Sequence, residues 1–113
     1  MLYMCVDDFL DHVDRIKRGG GLTRQEEKEY AARFREEGDE EAKRMLVNNY
    51  LPVVCSYFER YVGDDLTLDM VYRGIDVLER LVERSDFEKD REFINALSSS
   101  LRCLIPRYIA NGY

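Results

Sequence analysis

The chain has 113 residues, of which 45% are hydrophobic and 35% are charged, so it is long enough to fold as one domain with a modest core. Its net charge of −6 excludes attraction of the whole surface to nucleic acid, and any contact with DNA must come from a local group of basic side chains. No apolar run approaches the roughly 20 residues of a membrane span, and the acidic N-terminus is not typical of a signal peptide.

Three cysteines, Cys5, Cys55 and Cys103, are widely spaced and form no C-x-x-C pair. An odd number of unpaired cysteines is typical of a reducing compartment rather than of a disulfide framework. We therefore expect a cytoplasmic protein with free thiols and without a membrane partner.

The first predicted element is a short amphipathic helix from Tyr3 to Arg18. Three glycines at residues 19–21 end it. Its apolar residues recur at steps of three and four, which is the helical period. They are Val6, Phe9, Val13 and Ile16.

Capping residues mark the next two helices. Thr23 precedes Glu26 by three residues, which is the spacing of a capping box, and predicts a second helix that runs to Glu37. Gly38 ends this helix, and Asp39 is predicted to cap the third.

The third helix is predicted to be the longest, and it contains Pro52. A proline inside a helix removes one backbone hydrogen bond and bends the chain, but the apolar stripe continues in phase on both sides, which favours one bent helix. The stripe comprises Ala42, Leu46, Tyr50, Val53, Val54, Tyr57 and Tyr61.

Thr67 is predicted to cap a fourth helix that ends at Arg84, and Ser85, three residues before Glu88, to cap a fifth. The inward residues of the fourth helix are Val71, Ile75, Leu78 and Val82. No stretch alternates with the period of two that a strand requires. The predicted fold is all-α, a compact five-helix bundle.

No catalytic, metal or cofactor site is predicted. His12, flanked by Asp11 and Asp14, is predicted to be an exposed surface residue without a visible partner. The acidic clusters lie near helix ends, where carboxylates interact with the helix dipole or face solvent. The glycines at residues 19–21 lack the Lys-Ser or Lys-Thr pair of a phosphate-binding loop.

Three segments of the chain, taken in order, share their pattern with a known family. They are LTRQEEKEYAARFREEGDEEAKRMLVNNYLPVVCSYFERY, LDMVYRGIDVLERLVERSDFEKD and REFINALSSSLRCLIPRYIA. Together they resemble the N-terminal half of bacterial RNA polymerase sigma factors of the sigma-70 family. The resemblance spans about Asp7 to Ala110 within a single helical domain, residues 1–113, with one short gap before Asp69. Residues 1–38 resemble region 1.2, and residues 39–110 resemble region 2.

The resemblance implies a role in transcription initiation, with the RNA polymerase core and promoter DNA as partners. The fourth helix resembles the family helix that docks on the coiled coil of the polymerase clamp. Matching residues there are Asp69, Gly74, Leu78, Arg80, Val82, Glu83 and Asp86. The polymerase-binding residues implied by the resemblance are Asp69, Tyr72, Arg73, Gly74 and Asp76.

This helix departs from the family around Gly74. The family places a Gln-Glu pair before the glycine and an Asn after it, whereas this chain has Tyr72, Arg73 and Ile75. If the clamp presents a cationic surface at this point, Arg73 introduces like-charge repulsion, which disfavours that partner.

The fifth helix resembles the family helix that opens the promoter and captures bases of its minus-ten element. Matching residues are Phe93, Arg102, Ile105, Arg107 and Ile109. Where the family has a Tyr, two adjacent Trp and a Gln for base contacts, this chain has Ala96, Ser99, Ser100 and Cys103. Three arginines on the polar side, Arg91, Arg102 and Arg107, are predicted to contact phosphates without reading sequence.

A helical wheel at about 100° per residue separates two faces of the fifth helix. The predicted core face contains Phe93, Leu97, Leu101, Leu104 and Tyr108, and the four substituted positions lie together on the opposite side. Small side chains offer no ring for stacking, which contributes roughly 1–3 kcal/mol per base, so promoter melting by the family mechanism is not expected. Pro106 is predicted to bend or end the helix.

Three hypotheses stay open from the sequence. The chain is a divergent sigma-like factor that binds polymerase core and promoter DNA; or a sigma-derived interaction protein that docks on polymerase or a regulatory partner without melting DNA; or a helical bundle whose function lies in another complex.

Overall fold

The computed structural model describes residues 3–85, 87 and 90–110. Side chains are described for residues 3–85, 87 and 91–104. Within these residues the chain forms five α-helices and no strand, so the predicted all-α fold is confirmed. A single 3₁₀ turn, Gly63–Asp65, separates the third and fourth helices. The helices are α1 (Val6–Arg18), α2 (Arg24–Glu37), α3 (Glu40–Tyr61), α4 (Leu68–Arg84) and α5 (Asp90–Ala110).

Local side chains begin the helices that the sequence predicts. In the capping box of α2, the backbone N–H of Glu26 donates to Thr23 Oγ1 (3.1 Å), and the N–H of Thr23 donates to Glu26 Oε1 (2.9 Å). Asp39 Oδ1 accepts from two N–H groups of the first turn of α3, and Thr67 Oγ1 accepts from one in α4. Gly38 ends α2 in the left-handed conformation, with φ of 66°. The three predicted N-caps are therefore confirmed.

Helix α3 is the centre of the bundle, since it packs against α1, α2, α4 and α5. It continues through Pro52 from Glu40 to Tyr61, as predicted, and the expected bend at the proline stays a prediction. The inward side chains of α3 are Ala42, Leu46, Val47, Tyr50, Leu51, Val54, Cys55 and Phe58. The four inward residues predicted for α4 are all buried as well.

Two predictions about α3 and α5 are wrong. Tyr61 is 48% exposed rather than inward, because it is the last residue of α3 and its ring lies against Tyr57 rather than the core. Ser85 does not begin α5, which starts at Asp90; instead Ser85 Oγ accepts from the backbone N–H of Phe87 (3.0 Å).

Phe87, in the link between α4 and α5, packs into the core. Phe87 is buried, and its ring lies 4.7 Å from Phe93 and 6.0 Å from Tyr50, measured between centroids. Its φ of 57° is unusual for a residue with a side chain, and burial of the ring offsets that strain. Asp86 and Glu88, named in the sequence predictions, lie outside the described residues.

The two ends of the chain also differ from the sequence predictions. Helix α1 begins at Val6, whereas the predicted helix includes Tyr3; the residues before it are held in part by a hydrogen bond from the N–H of Met4 to Asp8 Oδ2 (2.9 Å). Helix α5 does not end at Pro106 but continues to Ala110, and the alternative, a bend at this proline, stays a prediction. The side chains of Arg107 and Tyr108 lie outside the described residues.

A close approach between α3 and α4 depends on Gly74. A Cβ atom at this residue would lie 2.7 Å from Cε2 and 2.9 Å from Cζ of Phe58, and 3.0 Å from Cγ1 of Val54. Phe58 and Val54 are both fully buried, so neither has free space into which to move. Gly74 therefore sets the distance between the two helices.

We predict that Gly74→Ala lowers the free energy of unfolding by about 1–3 kcal/mol, the usual range for an overpacked core. Chemical denaturation of both proteins measures the difference. The matched control is Gly19→Ala, whose Cβ would meet nothing closer than 3.6 Å and should change stability by no more than about 0.5 kcal/mol. Equal effects of the two substitutions would contradict the proposed close packing.

Candidate docking and DNA-facing surfaces

The outer face of α4 is a stripe of four charged side chains, Asp69, Arg73, Asp76 and Arg80, which we call the α4 stripe. All four are exposed, and they form two ion pairs. The two residues of each pair lie one helical turn apart. Arg73 Nε lies 3.9 Å from Asp69 Oδ1, and Arg80 Nη2 lies 3.1 Å from Asp76 Oδ2. Exposed pairs of this kind contribute only about 0.3–0.5 kcal/mol each, so a binding partner can replace them at little cost.

The five residues that the resemblance assigns to polymerase binding do not share one surface. Asp69, Arg73 and Asp76 lie on the α4 stripe, whereas Gly74 is buried against Phe58 and faces the opposite way. Gly74 therefore positions α4, and its own atoms are covered by α3.

Tyr72 is half-buried and holds the segment that precedes α1. Its hydroxyl accepts from the backbone N–H of Tyr3 (2.6 Å) and donates to the carbonyl of the same residue (3.2 Å). The two rings lie 6.1 Å apart. This contact joins residues 69 positions apart, and sequence reasoning missed it.

His12 has a partner that the sequence prediction missed. It is partly buried, and its Nδ1 lies 2.7 Å from the hydroxyl of Tyr3. Burial, and then the nearby Arg15, lower the pKa of His12 below its ordinary value of 6.5. Burial, and then the Tyr72 phenol, raise the pKa of Tyr3 to about 12, so the Tyr3 hydroxyl beside the imidazole stays neutral. The prediction of an exposed, unpartnered His12 is therefore wrong.

Glu27 belongs to an acidic cluster at the start of α2 that was expected to interact with the helix dipole or to face solvent, but its carboxylate is buried. Its Oε1 accepts from Asn49 Nδ2 (3.0 Å) and from the hydroxyl of Tyr50 (2.9 Å), which ties α2 to α3. The available signal was its position one turn before the buried Ala31, on the inward face of α2. Its role is structural and lies away from the α4 stripe.

The described side chains of α5 divide as the helical wheel predicts. Phe93, Leu97 and Leu101 are buried, and Leu104 is partly buried. On the other side Ala96, Ser99 and Cys103 are exposed, and Ser100 is partly exposed. These four side chains are all small, and none of them carries an aromatic ring.

Two of the three arginines predicted to contact phosphate have described side chains, and both are exposed. Arg91 lies in the first turn of α5. Arg102 donates from Nε to the hydroxyl of Tyr57 on α3 (3.4 Å), and this bond raises the pKa of Arg102. The side chain of Arg107 lies outside the described residues.

Across the described residues, no three His, Cys, Asp or Glu side chains come together as a metal site would require. Cys5, Cys55 and Cys103 are free thiols, and burial raises the pKa of Cys55 to about 12. In the same part of the chain no helix has the length and apolar character to span a membrane.

Comparison with known proteins finds a similarity to a bacterial sigma factor. The chain is 38% identical over 101 residues to the RNA polymerase sigma factor SigA of Bacillus sp. The match covers 88% of this chain but 26% of SigA, so the chain spans about a quarter of that relative. No protein-family model matches the chain, and no solved structure matches it. The similarity supports a distant link to sigma-70-type proteins.

We predict a pH dependence of stability that arises from His12. Because its pKa is lowered in the folded protein, the unfolded chain binds the proton first as the pH falls below 6.5. This contribution to stability is therefore complete above that pH and is lost under acid conditions. The free energy of unfolding, measured by urea denaturation, should fall between about pH 7.5 and about pH 5.5. The decrease should be smaller for His12→Asn than for the unmodified chain.

Tyr3→Phe is the control for this measurement, because it removes the hydroxyl and keeps the imidazole half-buried. Tyr3→Phe should retain most of the decrease in the free energy of unfolding at acid pH. Identical loss of stability in the unmodified chain and in His12→Asn would contradict the assignment.

Proposed function

We propose that this chain acts in transcription initiation and associates with the RNA polymerase core through the α4 stripe. The similarity to SigA supports the general role. The observation that carries the docking surface is the row of exposed charges on α4, at the positions that resemble the clamp-docking helix of sigma-70 factors.

The packing of α4 makes this stripe a suitable docking surface. One side of the helix is fixed on α3 by Gly74 and Leu78, both of which are buried. The other side holds two exposed ion pairs, which a partner can replace at little cost. A rigid helix with replaceable surface pairs binds with little loss of conformational entropy.

Arg73 determines how well this surface suits a cationic partner. Its side chain is 63% exposed, and its pair with Asp69 is long, at 3.9 Å. In this proposal Arg73 repels the clamp surface, and the two aspartates attract it. The chain therefore binds polymerase less tightly than it would with an acid at residue 73.

We predict that the full chain binds the core enzyme, or its isolated clamp coiled coil, and that Arg73→Glu binds more tightly. The expected gain is roughly two- to fivefold, which corresponds to an exposed charge interaction of up to about 1 kcal/mol. Titration by biolayer interferometry or fluorescence anisotropy measures both affinities.

Arg80→Glu is the matched control. It makes the same charge change and breaks the equivalent pair with Asp76, two turns further along α4. Because Arg80 matches the family pattern, its reversal should not strengthen binding. No detectable binding at tens of micromolar, or an equal gain from both substitutions, would count against this docking surface.

The α5 face favours a second candidate function, in which the chain docks on polymerase or a regulatory protein without opening promoters. The exposed Ala96, Ser99 and Cys103 supply no ring to hold an unpaired base. Arg91 and Arg102 are exposed for contacts to phosphate, which position DNA but do not read it.

We predict that Ser99→Trp raises the affinity for a minus-ten single strand about fivefold or more, if the remaining α5 surface fits DNA in the family manner. Ser99 is chosen because it is exposed, whereas Ser100 is partly covered and a large ring there would strain the core. Anisotropy of a labelled oligonucleotide measures the change.

Ile94→Trp adds the same ring at another exposed site, about 140° around α5. It should have little effect. Equal gains from the two tryptophans, or none from Ser99→Trp, would show that α5 does not present DNA as the family helix does.

A further inference from the structure

A cavity of about 510 Å³ lies between α1, α3 and α4, and we call it the three-helix cavity. Its polar lining residues are His12 of α1, Glu40, Lys43, Arg44 and Asn48 of α3, and Glu79 of α4. Val47, which is buried, adds an apolar wall. The four residues of the α4 stripe do not line it. Its volume lies within the usual range for small-molecule sites, about 300–1,000 Å³.

Carboxylates outnumber cations around Lys43 in this cavity. The ammonium of Lys43 is hydrogen-bonded to Glu83 Oε1 of α4. That bond is the main reason why the pKa of Lys43 is raised, and the charges of Glu79 and Glu40 add to it. One ammonium therefore serves three carboxylates and is hydrogen-bonded to one of them. The ion pairs among the described residues include neither Glu40 nor Glu79, so both can accept from a further cation.

Asn48 provides a third acceptor. Its side chain lines the cavity, and its Oδ1 is buried without a hydrogen-bond partner in the described part of the chain. A buried carbonyl oxygen without a donor is unfavourable, and native proteins contain few of them. A bound group with several N–H donors satisfies this oxygen together with the carboxylates of Glu40 and Glu79.

The imidazole of His12 forms the α1 side of the cavity. Its Nδ1 lies 2.7 Å from the Tyr3 hydroxyl, which holds the ring in place. Burial, and then Arg15, lower the pKa of His12 below 6.5, so the imidazole is neutral at neutral pH. His12 therefore does not repel a cation in the cavity.

Arg44 gives the edge of the cavity the opposite character. Its side chain is exposed, and it belongs to none of the ion pairs found among the described residues. It lies one helical turn after Glu40 and one turn before Asn48, on the same side of α3. A guanidinium group pairs well with a carboxylate. The cavity thus combines an acceptor-rich part with a cation at its edge.

We propose that the three-helix cavity binds a small zwitterion, with a guanidinium group at Glu40, Glu79 and Asn48 and a carboxylate at Arg44. A guanidinium group carries five N–H donors in a planar fork, so it can donate to several acceptors at once, whereas an ammonium group carries three. This inference does not depend on the proposed role in transcription initiation.

Other ligands suit these residues less well. A phosphate-bearing ligand meets repulsion from the carboxylates of Glu40, Glu79 and Glu83, which outnumber the cations. A metal ion requires a closer set of ligands, and across the described residues no three His, Cys, Asp or Glu side chains form one. A ligand that carries both charges uses the carboxylates, the amide and Arg44 together.

The test is a titration of the full chain with L-arginine at constant pH and ionic strength, followed by proton NMR of the imidazole. His12 is the only histidine of the chain, so its ring signals report on this cavity. Saturable shifts are expected at millimolar concentrations of arginine. No saturable shift up to about 20 mM, which corresponds to a binding free energy weaker than about −2.3 kcal/mol, overturns the proposal.

Two analogues of arginine test the two charged ends. Citrulline has nearly the same shape without the positive side-chain charge, and agmatine keeps the guanidinium group but lacks the carboxylate. Each should bind at least about fivefold more weakly than arginine, as expected for the loss of one partly exposed charge interaction. Binding of either analogue as tightly as arginine overturns the assignment of a zwitterion.

Glu79→Gln tests the acceptor-rich part and should lower the affinity for arginine about fivefold. Glu41→Gln is the matched control, because Glu41 is exposed beside Glu40 but does not line the cavity. It should leave the affinity unchanged. Equal losses from the two substitutions overturn the assignment to this cavity.

Arg44→Gln tests where the carboxylate lies. It should remove the preference for arginine over agmatine and keep the preference for arginine over citrulline, because the acceptors for the guanidinium group are unchanged. A preference over agmatine that persists in this variant overturns the placement of the carboxylate at Arg44.

Asn48→Leu separates binding from a structural role. The substitution removes the unpartnered carbonyl oxygen and keeps a similar volume, so the midpoint of urea denaturation should rise while the affinity for arginine falls. A lower midpoint with unchanged arginine binding shows that Asn48 acts in the fold alone, and it overturns the place of Asn48 in the site.

Discussion

The contact between Gly74 and Phe58 is the constraint on which the rest of the bundle depends. It allows α4 to lie against α3 at a separation that any side chain at residue 74 would increase. Because α3 also packs against α1, α2 and α5, a shift at this contact is transmitted to the whole core. The same contact fixes the direction in which the α4 stripe faces, so a packing requirement also sets the proposed docking surface.

The two candidate surfaces belong to different helices of the bundle. The α4 stripe offers a partner protein exposed charges in ion pairs that contribute little to stability. On α5, the four positions that resemble the family's promoter-opening surface hold small side chains. Arg102 of the same helix is bonded to Tyr57 of α3.

Much of the fold was predictable because its determinants are local. The capping box of Thr23 and Glu26 involves residues three apart, and the apolar stripes follow from the helical period alone. Ser85 shows the limit of such signals, since the same spacing to Glu88 accompanies a turn that is stabilised by the buried ring of Phe87. Tertiary packing overrides the local pattern there.

The candidate surfaces were predictable only in part, for a related reason. Exposure of Asp69, Arg73 and Asp76 follows from the helical period. The hydrogen bonds between Tyr72 and Tyr3 join distant segments, and no local pattern encodes them. His12 is partly buried because Tyr3, in the segment before α1, lies against it. The sequence does not reveal the path of this segment over α1 and α4.

Site-specific photo-crosslinking is the direct test of the proposed contact between the α4 stripe and the polymerase core. A photoreactive amino acid replaces Asp76 on the stripe in one variant of the chain and the exposed Glu36 on α2 in another. Each variant is mixed with core enzyme and illuminated, and the crosslinks are mapped by mass spectrometry. We expect crosslinks to the clamp coiled coil from residue 76 and none from residue 36. Equal crosslinking from both positions, or crosslinks from residue 36 alone, would contradict it.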